Sequence, residues 1–454
     1  MIEPTQIPEV VKRVTIAVLT LSHVQFAAFL IGIFGLGVTM EFLGLLSPSN
    51  QPRFDHLART LARTAVIIYS TGAVVAIIFI LVFTITFPSF WYIVVRDNFW
   101  VLFLEAITFV LTILYLFPWY YTWDRLADFK WVHVSLGLAL IVVAQLQQAM
   151  IDVVAGYMLT PVPPEDLLRV IFNPTSLPLD AHRLVGDFSF AGFVVAGYAA
   201  FRTLRAKDPD LRSYYDWVGN IGLVAGLGFL FLQPAVGIAY LEEIRANTPG
   251  AFDTMMRGRN SWLFLVLVGF ISVLFSLSLQ YMRLQVRKSD RWGDGLLRGS
   301  LIVVVLSALL LLQPYVLGPS QDYAWINWVN PIGSMQPWKY IAFAAMTLAS
   351  ITALIAYLGI QRRGMRWGYL ERGGRRAQYF LAALAILASA TMVWMGYVRE
   401  SSRSPYLIYY RLPIEQPERF PKLQPTPTRG GPSSYQPPDG TLDGLDYNPG
   451  RSGR

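Results

Sequence analysis

The sequence contains no cysteine. Thiolate zinc sites, iron–sulfur clusters, covalently attached c-type haem and disulfides all need cysteine sulfur, so each of them is excluded. Histidine is nearly as scarce, with 4 residues in the whole chain. A redox cofactor bound by this chain must therefore take its ligands from histidine, methionine or carboxylate side chains.

Charged residues are scarce as well: they make up 15% of the 454 residues, against 54% hydrophobic residues and a mean hydropathy of +0.44. Apolar runs of about 18 residues or more recur before residue 400, and each is long enough to cross a bilayer as a helix. The pattern predicts an all-α polytopic membrane protein, with about ten transmembrane helices in a bundle over residues 1–400. We expect these helices at about 15–45, 65–89, 99–122, 131–157, 184–203, 217–240, 261–282, 299–317, 340–360 and 377–398.

The segment 401–454 has a different composition, because it is rich in proline, glycine and serine and lacks apolar periodicity. Such a segment cannot bury enough apolar surface to fold alone. We therefore expect an extended or disordered tail. The alternative is an extended arm that lies along an extracytoplasmic partner.

The formal net charge of +8 does not indicate nucleic-acid binding, because most of the positive charge lies in short loops between spans. The loops after the first, third, fifth, seventh and ninth spans hold 20 lysines and arginines, and the other side, without the tail, holds 9. By the positive-inside rule the richer side faces the cytoplasm. The N-terminus and the proline-rich tail are therefore expected to be extracytoplasmic.

Several ionisable residues lie inside the predicted spans, where such residues normally face the protein interior and serve a ligand, a pathway or a partner. His23 lies in the first span, and Glu41 follows on the same helix face after five whole turns. Glu105 and His182 lie toward the extracytoplasmic ends of the third and fifth spans, and Met256 lies just before the seventh. Histidine and methionine are axial ligands of haem iron. The candidate haem ligands therefore gather in the outer half of the membrane.

Gln145, Gln148 and Asp152 form a polar stripe on one face of the fourth span, which begins near His133. The stripe indicates a proton path or a hydrated cavity. Hydrogen bonding between neighbouring helices is an equally good interpretation.

Several short motifs resemble subunit I of the cytochrome bd-type quinol oxidases, in order along residues 14 to about 340. They are His23 with Met40-Glu41, Glu105 with Trp123-Asp124-Arg125-Leu126, His133 with Gln145 and Gly156-Tyr157-Met158, Asn173-Pro174 with His182, Gln233-Pro234 with Ala239, and Trp328 with Gln336-Pro337-Trp338. The chain is similar to a divergent member of that family.

The resemblance implies roles for individual residues. His23 and His182 would ligate haem iron, with His182 on the low-spin haem b and Met256 near the place of that haem's methionine. Glu105 would handle protons or ligate a haem, and Glu242 is the candidate base that accepts a proton from quinol. The implied cofactors are one or more haem b groups, with haem d left open, and the implied substrate is quinol.

The resemblance also implies a place in the cell, which is the prokaryotic cytoplasmic membrane, with additional membrane or extracytoplasmic redox subunits as partners.

The chain departs from the family pattern at several positions. Val236 stands at the lysine of the quinol-binding loop, Leu241 stands at its glutamate, and Ile332 stands at a glutamate that ligates a haem in the family.

Three functions therefore stay open at this point. The first is a bd-oxidase-like cytochrome b that oxidises quinol at the extracytoplasmic side and passes electrons through haems, with oxygen as one acceptor. The second is a quinol-linked cytochrome b subunit that passes electrons to an extracytoplasmic redox partner. The third is a haem-free structural membrane subunit of a respiratory complex.

Overall fold

A computed structural model of the protein describes residues 8–256, 260–286, 290–316, 337–363, 368 and 370–413. Within these residues, 10 helical stretches are long and apolar enough to cross a membrane. The predicted all-α bundle of about ten transmembrane helices is confirmed.

The described residues form fourteen α-helices. These are α1 (Glu9–Leu46), α2 (Gln51–Thr86), α3 (Pro88–Asp97), α4 (Phe99–Tyr121), α5 (Lys130–Leu159), α6 (Leu167–Ile171), α7 (Ser176–Arg205), α8 (Pro209–Leu230), α9 (Gln233–Asn247), α10 (Pro249–Met256), α11 (Ser261–Val286), α12 (Arg291–Val316), α13 (Pro337–Arg362) and α14 (Leu370–Ser402). A 3₁₀ turn at Ala127–Phe129 precedes α5, and the strands β1 (Tyr406–Ile408) and β2 (Leu412–Pro413) form an antiparallel hairpin.

Two helix boundaries differ from the sequence prediction, and in both cases a helix begins with a proline in its first turn. The second span is part of a helix that begins at Gln51 and has a proline in its first turn. Proline is tolerated there because N–H groups in the first turn have no hydrogen-bond partner within the helix. The span expected at 217–240 is interrupted after Leu230, and α9 then begins with proline in its first turn. The region 240–260, expected as a short loop, is largely occupied by α9 and α10.

Helix α7 lies at the centre of the bundle and packs against α1, α5, α8, α9 and α14. Glycines bring α7 and α8 close together: a Cβ added at Gly192 would lie 2.3 Å from the backbone nitrogen of Gly226. Small residues at such a crossing allow close backbone approach and van der Waals packing between membrane helices. The helix that carries His182 is thereby held among five neighbours.

One end of the bundle, here called the basic end, contains the last turns of α1, α4 and α7 and the first turn of α5. Glu41 is fully buried there and accepts hydrogen bonds from Trp119 Nε1 at 3.1 Å and from His133 Nδ1 at 2.5 Å. Lys130 Nζ lies 3.5 Å from the same carboxylate and 3.1 Å from Asp55. This network joins α1, α2, α4 and α5.

The opposite end contains the first turns of α1 and α7 and the last turn of α14. The hairpin of residues 406–413 packs on it: Arg411 donates to Tyr157 and lies 3.0 Å from Asp97, and the Tyr409 amide donates to the Met158 carbonyl at 2.9 Å. The expected tail boundary at 401 stays a prediction. Helix α14 continues to Ser402, and residues up to 413 are ordered against α5, while 414–454 lie outside the described residues.

Candidate functional site

The start of α7 is held by a buried hydrogen-bond network that involves the Asn-Pro motif. Asn173 Oδ1 accepts from the Thr175 amide at 2.9 Å and from Thr160 Oγ1 at 2.7 Å, and its Nδ2 donates to the Thr160 carbonyl at 3.2 Å. The asparagine thus ties the end of α5 to the start of α7. Because His182 lies in the second turn of α7, this network sets the position of its side chain.

His182 faces a methionine of the last helix. Its Nε2 atom lies 3.2 Å from Met395 Sδ, although the two residues are 213 positions apart in the chain. The Gln233 amide nitrogen lies 3.2 Å from both ring nitrogens, and the Tyr240 ring stacks on the imidazole at a centroid distance of 6.0 Å. Three residues from α9 and α14 therefore surround the imidazole that α7 carries.

Gly237 leaves room beside this imidazole. A Cβ added at Gly237 would lie 3.3 Å from His182 Cε1, which is tighter than most real contacts. Glycine here therefore sets how closely α9 approaches His182.

The donor set at His182 fits the ligand chemistry of a haem, and the two donor atoms, 3.2 Å apart, would have to separate to admit an iron between them. Histidine and methionine together are the axial ligands of one class of cytochromes, and a bundle core supplies such ligands from facing helices. Gln233 Oε1 is buried with no hydrogen-bond partner among the described residues, so the pocket holds a polar atom that a bound group can satisfy. His182 and Met395 are the side chains that would hold the iron.

Met395 was not among the residues predicted from the sequence. A methionine in an apolar span has no distinguishing pattern, and only the fold brings it to His182. Met256, the predicted neighbour, ends α10 and is partly buried against the bundle core. Its role as a ligand stays a prediction, and the sulfur found beside His182 is that of Met395.

His23 lies in the N-terminal half of α1, against α2. Its ring is parallel to Phe79 at a centroid distance of 6.0 Å, and its Nδ1 atom is buried without a hydrogen-bond partner among the described residues. A buried polar atom without a partner is uncommon and calls for an explanation. An iron bound at this nitrogen would explain the missing partner. The role of His23 as a haem ligand stays a prediction.

Glu105 lies on α4 and is partly buried. Its Oε1 accepts from Gln147 Nε2 at 3.2 Å, and Gln147 Oε1 in turn accepts from Thr112 at 3.0 Å. The carboxylate therefore joins the second turn of α4 to the middle of α5. This contact is compatible with a proton relay, and its catalytic role stays a prediction.

Glu242 lies on α9, two and a half turns beyond Gln233. It is paired with Arg245 at 2.6 Å and accepts a hydrogen bond from the Tyr340 hydroxyl at 3.1 Å. About one third of its side chain is exposed. The carboxylate is therefore held in place at the end of the bundle where His182 lies, and it is open to an incoming molecule.

The polar stripe on α5 meets charged residues of α7. Gln145 donates to Asp180 at 2.8 Å, and Arg183 donates to Asp152. The hydrogen bonds between helices that the stripe predicts are present. The residues that the sequence compares with the last family motifs, from Trp328 to Gln336 and including Ile332, lie outside the described residues.

These features define a polytopic helical membrane protein that holds a histidine and a methionine together at one end of its bundle. The chain belongs to the family of cytochrome bd terminal oxidase subunit I, whose family model matches residues 11–260. It is accordingly a membrane protein of a family of electron-transport oxidoreductases.

The fold agrees with this family. The solved structure of the bd oxidase from Geobacillus thermodenitrificans matches with a TM-score of 0.53 and 15% sequence identity, over 86% of this chain and 96% of that chain. The likeness at this identity concerns the fold. No curated protein matches the chain.

Proposed function

We propose that this chain is the cytochrome b subunit of a quinol-oxidising membrane oxidoreductase, in which His182 and Met395 bind haem b. The observation that carries the proposal is the approach of an imidazole nitrogen and a thioether sulfur to 3.2 Å, from two helices far apart in the chain. When bound, the haem supplies a one-electron redox couple, whose potential methionine–histidine ligation raises.

Helix α9 supports a quinol site next to these ligands. Gln233 at its start contacts His182, and Glu242 follows nine residues later, or about 13 Å along the axis at 1.5 Å per residue. Oxidation of a quinol to a quinone releases two electrons and two protons. Glu242 is placed to accept one of these protons, and the Tyr340 hydroxyl and Arg245 stabilise its anionic form before it does so.

His23 and Glu105 belong to the onward path in this proposal. His23 offers a buried imidazole nitrogen to a second haem, and Glu105 serves proton transfer toward it. Oxygen is the acceptor that family membership favours.

A second candidate function is electron transfer to an extracytoplasmic redox partner. The observation that favours it is the hairpin of residues 406–413, which is fixed at the same end of the bundle as His182 and directly precedes the proline-rich segment in the chain. In this case the tail serves as the docking arm. Oxygen uptake with quinol, compared with reduction of a purified partner, distinguishes the two functions.

Purified protein should contain haem b by pyridine haemochrome analysis and show a low-spin signal in its reduced-minus-oxidised spectrum. His182→Ala and Met395→Leu should each remove or shift that signal, because each takes away one axial ligand. Met256→Leu is the matched control and should leave the signal in place. A signal lost in Met256→Leu and kept in Met395→Leu would assign the methionine ligand to Met256. Wild-type protein without haem would favour the haem-free structural function.

A further inference from the structure

A buried group of charged residues between α5 and α7 has no part in the function proposed above. Asp152 and Asp187 are 0% and 2% exposed, and Arg183 lies with them between the two helices. The charged and titratable groups that face Asp187 are Arg183, Asp152 and Asp180. Asp187 lies five residues after His182, or about 7.5 Å further along α7.

The charges in this group do not balance if every carboxyl is ionised. Arg183 donates its hydrogen bond to Asp152 Oδ1, and no guanidinium hydrogen bond to Asp187 occurs among the described residues. Asp180 is partly buried and accepts from Gln145, so it adds negative charge, and Arg399 of α14 adds positive charge beside Asp152. Three carboxyl groups therefore meet two guanidinium groups. A second ionised carboxylate inside a membrane bundle is costly, and the usual response of such a group is to take up a proton.

A neutral amide side chain faces the same carboxyl group. Gln148 is 5% exposed and faces Asp187, yet its amide nitrogen and oxygen both lack a partner with hydrogen-bond geometry among the described residues. Asp187 Oδ2 is also buried and unpaired. A proton on Asp187 makes the carboxyl a donor as well as an acceptor, and the Gln148 amide can then serve it in both roles.

We propose that Asp187 is a proton-loading site within the membrane, distinct from Glu105 and Glu242. Asp187 holds one proton as a carboxylic acid, while Asp152 stays ionised against Arg183. Asp187 releases this proton when the haem at His182 loses an electron and takes one up when the haem gains an electron, so that the total charge is unchanged. The coupling to haem depends on the proposed function, whereas the protonation of Asp187 does not.

Infrared spectroscopy tests the protonation, because a carboxylic acid has a carbonyl stretch that a carboxylate lacks. Spectra of the purified protein across a pH series should show a buried acid carbonyl band that Asp187→Asn removes and Asp187→Glu retains at a shifted position. Asp294→Asn is the matched control, since Asp294 lies on α12 and pairs with Arg283 at 2.9 Å. A band that is absent, or that persists in Asp187→Asn, would overturn the proposal.

Asp152→Asn provides a second check that does not touch Asp187. The substitution leaves Arg183 with Asp187 as its buried carboxylate partner, so Asp187 should ionise and the band should disappear. An unchanged band in Asp152→Asn would contradict the charge balance proposed here.

Potentiometric titration of the haem tests the coupling. The midpoint potential should fall with rising pH in the wild type and in Asp294→Asn, and it should lose most of that dependence in Asp187→Asn. A wild-type potential that does not change with pH would show that Asp187 is a static acid, which would contradict loading. Protein that contains no haem would refute the proposed function, and the infrared band would then decide the protonation of Asp187 alone.

Discussion

Glu41 and His133 have a contact geometry that requires a proton between them. The Trp119 carbonyl lies 2.7 Å from His133 Nε2 and can only accept, so Nε2 carries a hydrogen. Nδ1 lies 2.5 Å from Glu41 Oε1, so one of these two atoms must also carry a hydrogen. Lys130 Nζ lies 3.5 Å from the same carboxyl, so Glu41 is the buried partner of a cation and of the His133 ring.

Glu41→Gln should therefore destabilise the protein strongly. Removing one partner of a buried ion pair leaves uncompensated charge and typically costs about 3–5 kcal/mol. Thermal unfolding in detergent measures the effect. Asp124→Asn is the control, because the Arg59–Asp124 pair is exposed and exposed pairs contribute about 0–1 kcal/mol; equal losses in the two variants would contradict this account of the basic end.

Gly237→Ala should perturb the proposed haem without unfolding the protein. The added Cβ would lie 3.3 Å from His182 Cε1, so the imidazole has to shift, while alanine favours the helix by about 1 kcal/mol. We expect a shifted low-spin absorbance or lower haem content. Gly228→Ala has no heavy atom within 4 Å of its added Cβ and should leave the spectrum unchanged; two identical spectra would show that the approach of α9 to His182 is not needed.

Individual residues differ in how far the sequence could predict their surroundings. His182 is recognisable, because a histidine at the end of an apolar span is rare and follows an Asn-Pro motif. Met395 is not, because methionine is common in apolar helices and its neighbour is 213 residues away. The pairing of Asp152 with Arg183 also depends on how α5 and α7 pack, and sequence spacing carries no information about that.

Helices were predictable to the extent that hydrophobicity determines them. The ten apolar runs are the ten candidate spans, because a bilayer requires helices of that length. The short helices α3, α6 and α10 were not predicted. They lie between spans at one end of the bundle, where local amphipathicity and packing decide the conformation and no long apolar run is required.

The hairpin of residues 406–413 should be released by Arg411→Ala. Arg411 compensates the fully buried Asp97 carboxylate and donates to Tyr157, so its loss leaves Asp97 with the Tyr157 hydroxyl and the neighbouring Arg96. The hydrogen bond to Asp97 raises the pKa of Arg96, which therefore stays charged.

Limited proteolysis with mass spectrometry should then show faster cleavage after Ser402 in Arg411→Ala. Arg169→Ala is the matched control at the same end, because the Arg169–Asp166 pair is exposed. Unchanged cleavage in Arg411→Ala would mean that the backbone contacts of Tyr409 suffice to hold the hairpin.

For the whole molecule, the loop charges predict that the end of the bundle with His182 is extracytoplasmic. The 20 basic residues of one side against 9 of the other favour that orientation. Protease added to spheroplasts should trim the 414–454 tail while leaving the bundle intact. Protection of the tail under conditions where a known extracytoplasmic protein is digested would reverse the orientation, and Glu242 would then face the cytoplasm.

The distance along the chain between His182 and Met395 has a consequence for biogenesis. On the proposed assignment, a ribosome that has just added His182 must add 213 more residues before the second ligand exists, or roughly 10 to 40 seconds at bacterial elongation rates. A nascent chain that ends before α14 contains His182 but not Met395. It therefore offers the iron a single strong ligand at this position. Stable haem binding at this site therefore requires that the last membrane helix has been inserted and packed. A prematurely terminated chain should lack this haem and be open to degradation.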